Sequence, residues 1–322
     1  MNELNFEDSL TVKIKKLSEN IWENKVDNVD IDKWLDNFTI TNFDTDLDKQ
    51  RLHALYLLSC FMYFGNREIR EMLKSVFRDK VKHPLIKSIR KSNSDSNNFQ
   101  LINRQYLDSL KKVRFIGVGN PAESGTHLLY YFRQENNLSS KLFINQSEIF
   151  NFTNNEDGVV GVTIQDMSIN RYVFLDDLSG TGTQVIKRTA ETIKTIKAQN
   201  SEAVIQYVAL FATKEAINKI KEKVDFNDVA CIFELNDTFK CFSTDSRCFP
   251  TTVNPSIDKS YLEKMSRTYG KKISKNHVDA LGYNDSQLLL GFTHNTPNNT
   301  LPIFWSVRKQ WQPIFKRYSK LS

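Results

Sequence analysis

Two adjacent carboxylates and a run of glycine and hydroxyl residues follow one another at residues 172–184, in the stretch Tyr-Val-Phe-Leu-Asp-Asp-Leu-Ser-Gly-Thr-Gly-Thr-Gln. Asp176 and Asp177 end an apolar run, where paired carboxylates can accept hydrogen bonds from the vicinal hydroxyls of a sugar. The residues after them offer backbone N–H groups, hydroxyls and the start of a helix, which together suit a phosphate. These residues are Ser179, Gly180, Thr181, Gly182 and Thr183. The stretch predicts a site for a ribose 5-phosphate group.

Two other interpretations of this stretch can be weighed against that one. A glycine-rich turn with a capping aspartate is the structural alternative, but it does not explain two acids at the end of one strand. A Walker A loop is excluded, because that motif ends in Gly-Lys-Ser or Gly-Lys-Thr. We therefore take Asp176 and Asp177 as candidate catalytic residues and residues 179–183 as candidate phosphate ligands.

A second polar stretch lies between the apolar runs at residues 288–290 and 303–305 and contains two prolines. Its candidate site residues are His294, Asn295 and Asn298. A stiff loop rich in hydrogen-bonding groups could form a hood over the sugar site and contact a base. An ordered turn, in which Asn and Pro serve the backbone conformation, is the open alternative.

The elements that must position these residues change character near residue 92. Before it, apolar residues recur every three or four positions, as in Leu10, Ile14 and Leu17, which predicts a helical N-terminal domain over residues 1–92. The polar segment at residues 91–98 is typical of a linker or surface loop. After it, short apolar strands alternate with helices, which predicts an α/β domain with a mostly parallel sheet over residues 93–322.

The strand and helix pattern also places the acidic pair within the sheet. Predicted strands cover residues 113–118, 141–144, 171–175, 203–211 and 228–233, and predicted helices cover residues 125–136, 183–199 and 214–223. The strand that ends at Leu175 has no polar alternation, so it should be central and buried on both faces. Ligands of such sheets bind at the carboxyl ends of the strands, which is where Asp176 and Asp177 follow.

Composition excludes several classes of protein. The 322 residues are 40% hydrophobic and 25% charged, which allows a packed core and excludes wholesale disorder. No apolar run approaches about 18 residues and no signal peptide is evident, so we expect a cytoplasmic protein without membrane association. The four cysteines have no CxxC spacing, which argues against a zinc site and a disulfide framework.

The net charge of +6 comes from the C-terminal part of the chain, since residues 253–322 carry 11 basic and 4 acidic side chains. This basic segment could meet an anionic partner such as nucleic acid. Aromatic and basic residues do not interleave there as in a nucleic-acid module, so a solvated surface is the favoured interpretation.

The acidic pair, the apolar and variable residues after it and the Thr/Gly-rich loop resemble the signature of the type I phosphoribosyltransferase fold. The resemblance implies that Asp176 and Asp177 contact the ribose hydroxyls. It also implies that residues 179–183 hold the 5-phosphate of phosphoribosyl pyrophosphate, which binds with Mg²⁺. With the stretch Trp34-Leu-Asp-Asn-Phe38 and the C-terminal polar loop, the chain is similar to phosphoribosyltransferase-like proteins of bacterial conflict and antiviral gene clusters.

The resemblance points to a further loop at residues 117–126, where the family binds pyrophosphate. Glycines and hydroxyls near a helix start suit an anion. The candidate ligands are Gly119, Asn120, Ser124, Gly125 and Thr126. The loop contains Glu123 and no Lys or Arg, so an ordinary turn stays open as the alternative, and His127 is favoured as a surface or packing residue.

Two functions follow from the resemblance. The first is an enzyme that transfers or hydrolyses at the anomeric carbon of a phosphoribosyl or nucleotide ligand, which the intact acidic pair favours. The second is an inactive sensing module, whose helical N-terminal domain reports ligand occupancy to a protein partner. Gly180 favours the second, because purine-salvage members often carry there an Asp that assists proton transfer. The acceptor, a base or water, stays open.

Overall fold

The computed structural model describes residues 5–119, 124–154 and 160–318. Its helices are α1 (Phe6–Asn20), α2 (Asn28–Leu35), α3 (Leu47–Ser59), α4 (Asn66–Ser75), α5 (His83–Ser92), α6 (Phe99–Lys111), α7 (Ser124–Glu135), α8 (Thr183–Gln199), α9 (Lys214–Lys223), α10 (Lys259–Ile273) and α11 (Pro302–Trp305). Its strands are β1 (Met62–Phe64), β2 (Val113–Gly117), β3 (Phe150–Asn154), β4 (Val160–Ile164), β5 (Arg171–Ser179), β6 (Val204–Thr213), β7 (Asp228–Leu235) and β8 (Leu290–Phe292). None of the helices in the described ranges combines the length and apolar character needed to cross a membrane.

The chain divides into two compact units, and the division differs from the predicted one. The first unit joins Met1–Arg67 with Leu235–Ser322, and the second is Glu68–Glu234. The predicted boundary at residue 92 falls between α5 and α6, inside the second unit. The polar residues there end one helix and begin the next: Asn93 Nδ2 donates to Gln105 Oε1 of α6 at 2.8 Å, and Asn98 caps α6 by accepting from Leu101 N.

The first unit has a core built from both ends of the chain. Trp34 of α2 stacks on Phe304 with ring centroids 5.4 Å apart, and its indole N–H donates to the carbonyl of Ile303 at 2.7 Å. Phe61 stacks on Phe315 with centroids 4.1 Å apart. β1 pairs in parallel with β8, so this unit is not purely helical. The N-terminal helices thus bury their apolar faces against the C-terminal segment rather than forming a separate bundle.

The second unit contains a four-stranded sheet in the order β2-β5-β6-β7. β5 pairs in parallel with β2 on one side and with β6 on the other, which confirms the predicted α/β class and the central place of this strand. Its residues Tyr172–Leu175 are buried, because helices cover both faces of a parallel sheet and leave no polar side to the strand. α8 and α9 belong to the same apolar cluster, through Val185 and Ile217.

Two strand predictions need correction. Lys141 lies in a short 3₁₀ helix, Ser140–Leu142, rather than in a strand, because the Ser139 hydroxyl accepts from Lys141 N and favours a turn. β5 runs to Ser179 rather than to Leu175, since Leu178 and Ser179 still pair with β6. The acidic pair therefore lies within the stretch of β5 that pairs with β6, and not in the loop that follows the strand.

Candidate functional site

The acidic pair occupies neighbouring positions of β5 but two different environments. Asp176 is 8% exposed, whereas Asp177 is half-buried. Residues 172–176 of β5 are buried whichever face of the sheet they point to, and exposure begins with Asp177 and Leu178, close to the carboxyl end of the strand. The sequence pattern alone suggests that the two carboxylates are equivalent, but their environments show that they are not.

Asp176 is held inside the unit by two hydrogen bonds. Its Oδ2 accepts from the hydroxyl of Tyr207 on β6 at 3.0 Å, and its Oδ1 accepts from the backbone N–H of Asp177 at 3.0 Å. Burial raises the pKa of Asp176 well above its ordinary value, and the charge of Asp177 adds to this shift. Burial, and then the charge of Asp176, also raises the pKa of Tyr207, so Tyr207 stays a neutral donor.

Asp177 is the more exposed of the two carboxylates and stays our candidate for contact with a ligand. Its Oδ1 accepts from the backbone N–H of Leu178 at 2.8 Å, which fixes the side chain close to its own backbone. A carboxylate has about four acceptor positions, which is the property that a group binding vicinal sugar hydroxyls needs. The bond from Asp177 N to Asp176 ties the two acids into one rigid unit.

The phosphate-loop candidates separate into inner and outer groups. Ser179 is buried, and its hydroxyl has no hydrogen-bond partner within the described chain. Gly182 is buried and adopts the left-handed conformation, with φ +70, as the N-cap residue of α8. Thr181 and Thr183 lie further out, and the Thr181 hydroxyl donates to Thr183 Oγ1 at 3.2 Å. The 17-residue helix α8 begins at Thr183, so its N-terminal end faces this loop.

Helix α9 supplies loop contacts that are not evident from the local sequence pattern. Thr213 caps α9 and donates its hydroxyl to the carbonyl of Gly180 at 2.6 Å. Lys219 donates from Nζ to Thr183 Oγ1 at 3.2 Å. The capping position of Thr213 is visible in the sequence, but the packing of α9 against the loop follows only from the crossover that brings it beside α8.

The candidate pyrophosphate loop begins at the same edge of the sheet. Gly117 of β2 pairs with Leu175, and Val118 N donates to the Leu175 carbonyl at 2.9 Å. Gly119 follows with φ +127, a conformation that favours glycine. Asn120 and Glu123 lie outside the described residues, and the surroundings of Ser124, Gly125, Thr126 and His127 are not described beyond their helical backbone. The backbone of α7 begins at Ser124, so a helix N-terminus follows this loop too.

The hood candidates lie in the first unit. His294 stacks on Phe292 with ring centroids 5.4 Å apart. Asn295 Oδ1 accepts from the backbone N–H groups of Thr296 and Tyr318. The carbonyl of Asn298 accepts from Tyr283 N at 2.7 Å. These contacts tie the three residues to their own part of the chain, and their role as a hood stays a prediction.

No group of three or more His, Cys, Asp or Glu side chains in the described ranges could hold a metal ion. In the described ranges Cys60, Cys231, Cys241 and Cys248 are free thiols. A metal that acts here would need oxygen ligands from its own substrate in addition to the acidic pair.

Comparison with known proteins decides the family. The sequence matches the PRTase-CE family over residues 31–317. The chain belongs to this family. PRTase abbreviates phosphoribosyltransferase, so the resemblance carried by the acidic pair and the loop after it is confirmed at the level of a phosphoribosyltransferase-like protein. None of the curated proteins compared with the chain matches it.

Solved structures similar to this PRTase-CE chain include several phosphoribosyltransferases. A Helicobacter pylori xanthine-guanine-hypoxanthine phosphoribosyltransferase is 9% identical, with a TM-score of 0.26, over 54% of this chain and 90% of that one. An orotate phosphoribosyltransferase from Aeropyrum pernix is 16% identical, with a TM-score of 0.23, over 42% of this chain and 73% of that one. A Trypanosoma brucei adenine phosphoribosyl transferase, in complex with AMP, pyrophosphate and ribose-5-phosphate, is 11% identical, with a TM-score of 0.25, over 48% of this chain and 72% of that one.

Proposed function

We propose that this PRTase-CE chain binds a phosphoribosyl ligand at the carboxyl edge of the sheet in its second unit and transfers or hydrolyses it at the anomeric carbon. The observation that carries the proposal is one continuous segment that runs from the end of β5 to the start of α8. It places a half-buried carboxylate, a glycine and hydroxyl loop and a helix N-terminus in sequence at the end of a central parallel strand. Sugar hydroxyls and a phosphate, a few bonds apart in ribose 5-phosphate, match these groups in that order.

In this proposal the two acids have separate tasks. Asp177 accepts hydrogen bonds from the ribose hydroxyls, and its negative charge favours the positive charge that develops at the anomeric carbon. Asp176 positions it, because the bond from Asp177 N and the bond from Tyr207 hold this end of β5 in place. The bond from the anomeric carbon to pyrophosphate breaks, pyrophosphate leaves with the electron pair, and a base nitrogen or a water oxygen bonds to the carbon and releases a proton.

The residues present fit a Mg²⁺ ion that arrives with the ligand. Mg²⁺ in phosphate sites keeps several waters and takes one or two carboxylates plus substrate phosphates, so a half-buried Asp177 suffices on the protein side. When bound, the ion neutralises charge on the leaving pyrophosphate. The loop at residues 117–126 is our candidate for the protein contacts to that pyrophosphate.

A sensing module without turnover is the second candidate, and Gly180 favours it. A glycine carries no side chain that could move a proton on a base, and its carbonyl is held by Thr213. The same binding contacts would then report ligand occupancy to a partner protein. A role in bacterial antiviral defence, which the sequence resemblance implies, is compatible with both candidates and is tested by phage plating on cells that carry the Asp177→Asn variant.

Turnover separates the two candidates. Purified protein is incubated with phosphoribosyl pyrophosphate, Mg²⁺ and a panel of bases and nucleotides, and products are identified by mass spectrometry. The enzyme predicts release of pyrophosphate together with ribose 5-phosphate or a new nucleotide, lost in Asp177→Asn. Ligand binding with no product from any acceptor would support the sensing module instead. No binding and no product would contradict the phosphoribosyl site itself.

A further inference from the structure

The loop that follows the acidic pair contains no positively charged side chain that could balance the charge of a bound phosphate. A phosphate monoester carries about 1.5 to 2 negative charges at neutral pH. Residues 176–184 add two carboxylates and no cation, and the loop at residues 117–126 also lacks Lys and Arg. Backbone N–H groups and a helix N-terminus contribute only partial charges, so a full cation from another element would strengthen the site considerably.

Helix α9 is fixed against this loop by side-chain and backbone contacts. Thr213 donates to the Gly180 carbonyl at 2.6 Å. Gly182 approaches α9 so closely that a Cβ on it would lie 3.1 Å from the Ala216 carbonyl oxygen and 3.0 Å from Ile220 Cγ1. Positions 213, 216 and 220 share one face of the helix, since residues three and four apart are neighbours on a helix surface. That face of α9 is therefore held on the loop along its length.

Lys219 extends from this region of α9 to the start of α8. Its Nζ donates to Thr183 Oγ1 at 3.2 Å, and Thr183 Oγ1 also receives the Thr181 hydroxyl at 3.2 Å. The contact that the ammonium makes at this end of α8 is thus with a hydroxyl and not with a carboxylate. An ammonium has three N–H donors, so it can contact phosphate oxygens while it keeps its bond to Thr183.

We propose that Lys219 supplies the cation of the phosphate loop and makes the site selective for a dianionic 5-phosphate. The inference rests on the proposed function, because it assigns a residue to the phosphate end of the phosphoribosyl site. A full positive charge within hydrogen-bond reach of the α8 N-terminus distinguishes a terminal phosphate monoester, with two charges, from a phosphate diester, with one. Lys219 thereby sets which ligands with a ribose can occupy the loop.

The test measures the affinities of ribose 5-phosphate and of its 5-methyl phosphate diester by calorimetric titration. The wild type should prefer the monoester by about tenfold or more, and Lys219→Met should lose most of that preference, as expected when a charge-assisted hydrogen bond is removed. Lys219→Arg should retain the preference, because it keeps the charge. Lys221→Met is the matched control: it removes one charge from α9 two residues away, on a different side of the helix, and should behave like the wild type.

The outcomes separate this inference from the proposed function. Equal preference for the monoester in the wild type and in Lys219→Met, with equal melting temperatures, would overturn the role of Lys219 and leave the phosphoribosyl site standing. Wild-type protein that binds neither ribose 5-phosphate nor phosphoribosyl pyrophosphate would overturn the proposed function and this inference with it. A loss of preference in Lys221→Met equal to that in Lys219→Met would show a general effect of helix charge and would also overturn the assignment.

Discussion

At the scale of single residues, Asp176 illustrates a buried group whose charge opposes folding. Burial raises its pKa above the unfolded value, so the unfolded state loses its proton first as the pH rises. The stability contribution of Asp176 is therefore full below the unfolded pKa of about 3.9 and is lost as the pH rises through the folded pKa. The charged form of Asp176 therefore lowers the stability of the folded protein.

Asp176→Asn should accordingly stabilise the protein at pH 7, by about 1.4 kcal/mol for each unit of raised pKa. An amide fits the site, since its oxygen can still accept from Asp177 N and its NH₂ can donate to the Tyr207 hydroxyl, which also accepts. Thermal melts at pH 4 and pH 7 measure the effect. The gain should be present at pH 7 and shrink at pH 4, and a lower melting temperature of the variant at pH 7 would contradict this account of Asp176.

His53 in the first unit shows the opposite sign. Its Nδ1 contacts the Lys49 carbonyl at 2.8 Å, its Nε2 accepts from Asp258 N at 3.1 Å, and burial lowers its pKa. Below the unfolded pKa of about 6.5, only the unfolded state takes up the proton, so stability falls as the pH decreases. Between pH 7.5 and 5.5 the melting temperature should therefore drop more for the wild type than for His53→Gln, while His83→Gln, an exposed control, should follow the wild type. Parallel pH profiles of all three proteins would refute the role of His53.

At the scale of elements, the two glycines of the phosphate loop should respond differently to the same substitution. Gly182 has φ +70 and faces α9 at close range, so Gly182→Ala should lower the free energy of unfolding by about 1–3 kcal/mol. Gly180 does not share this positive φ, so Gly180→Ala should leave the melting temperature nearly unchanged and weaken only binding of phosphoribosyl pyrophosphate. Thermal melts beside calorimetric titrations distinguish the two. Equal destabilisation by both substitutions would mean that the loop is structural throughout.

Helices and strands can be predicted well from the sequence where residues within the element itself determine its type and its ends. The helix at residues 183–199 and the helix at residues 214–223 have the predicted bounds, because periodic apolar residues and end signals agree there. The strand prediction for residues 141–144 rests on three apolar residues after Lys141, too few to outweigh a serine-capped turn. The contact of Lys219 with Thr183 joins two residues 36 positions apart on different helices, and no local pattern encodes such a contact.

At the scale of the whole molecule, the division into units could not be predicted from local composition. Residues 1–92 look like one helical domain because their periodicity is uniform, yet the core of α2 is completed by Ile303 and Phe304. The carboxylate pair, by contrast, can be proposed as a site from the sequence alone, because its signals all lie within a dozen residues. A contact between residues more than 200 positions apart, such as that of Trp34 with Ile303, leaves no pattern in a short stretch of sequence.

The division predicts that a fragment spanning residues 66–236, which keeps α4 and β7 whole, folds without the rest of the chain. Its apolar cluster draws on residues of the second unit alone, such as Ile116, Phe174 and Ile205. Circular dichroism should show mixed helix and strand content and a cooperative thermal transition. A fragment over residues 1–92 is the matched comparison and should fail to fold cooperatively, because it lacks the C-terminal half of its core. The reverse result would contradict this division.

The most direct test of the phosphoribosyl site is calorimetric titration of phosphoribosyl pyrophosphate with Mg²⁺ into the wild type and into Asp177→Asn. A charge-assisted hydrogen bond contributes about 1.5–3 kcal/mol, so the variant should bind at least tenfold more weakly while its melting temperature stays within about 2 °C of the wild type. Equal affinity of the two proteins, with equal melting temperatures, would remove Asp177 from the site and contradict the central claim.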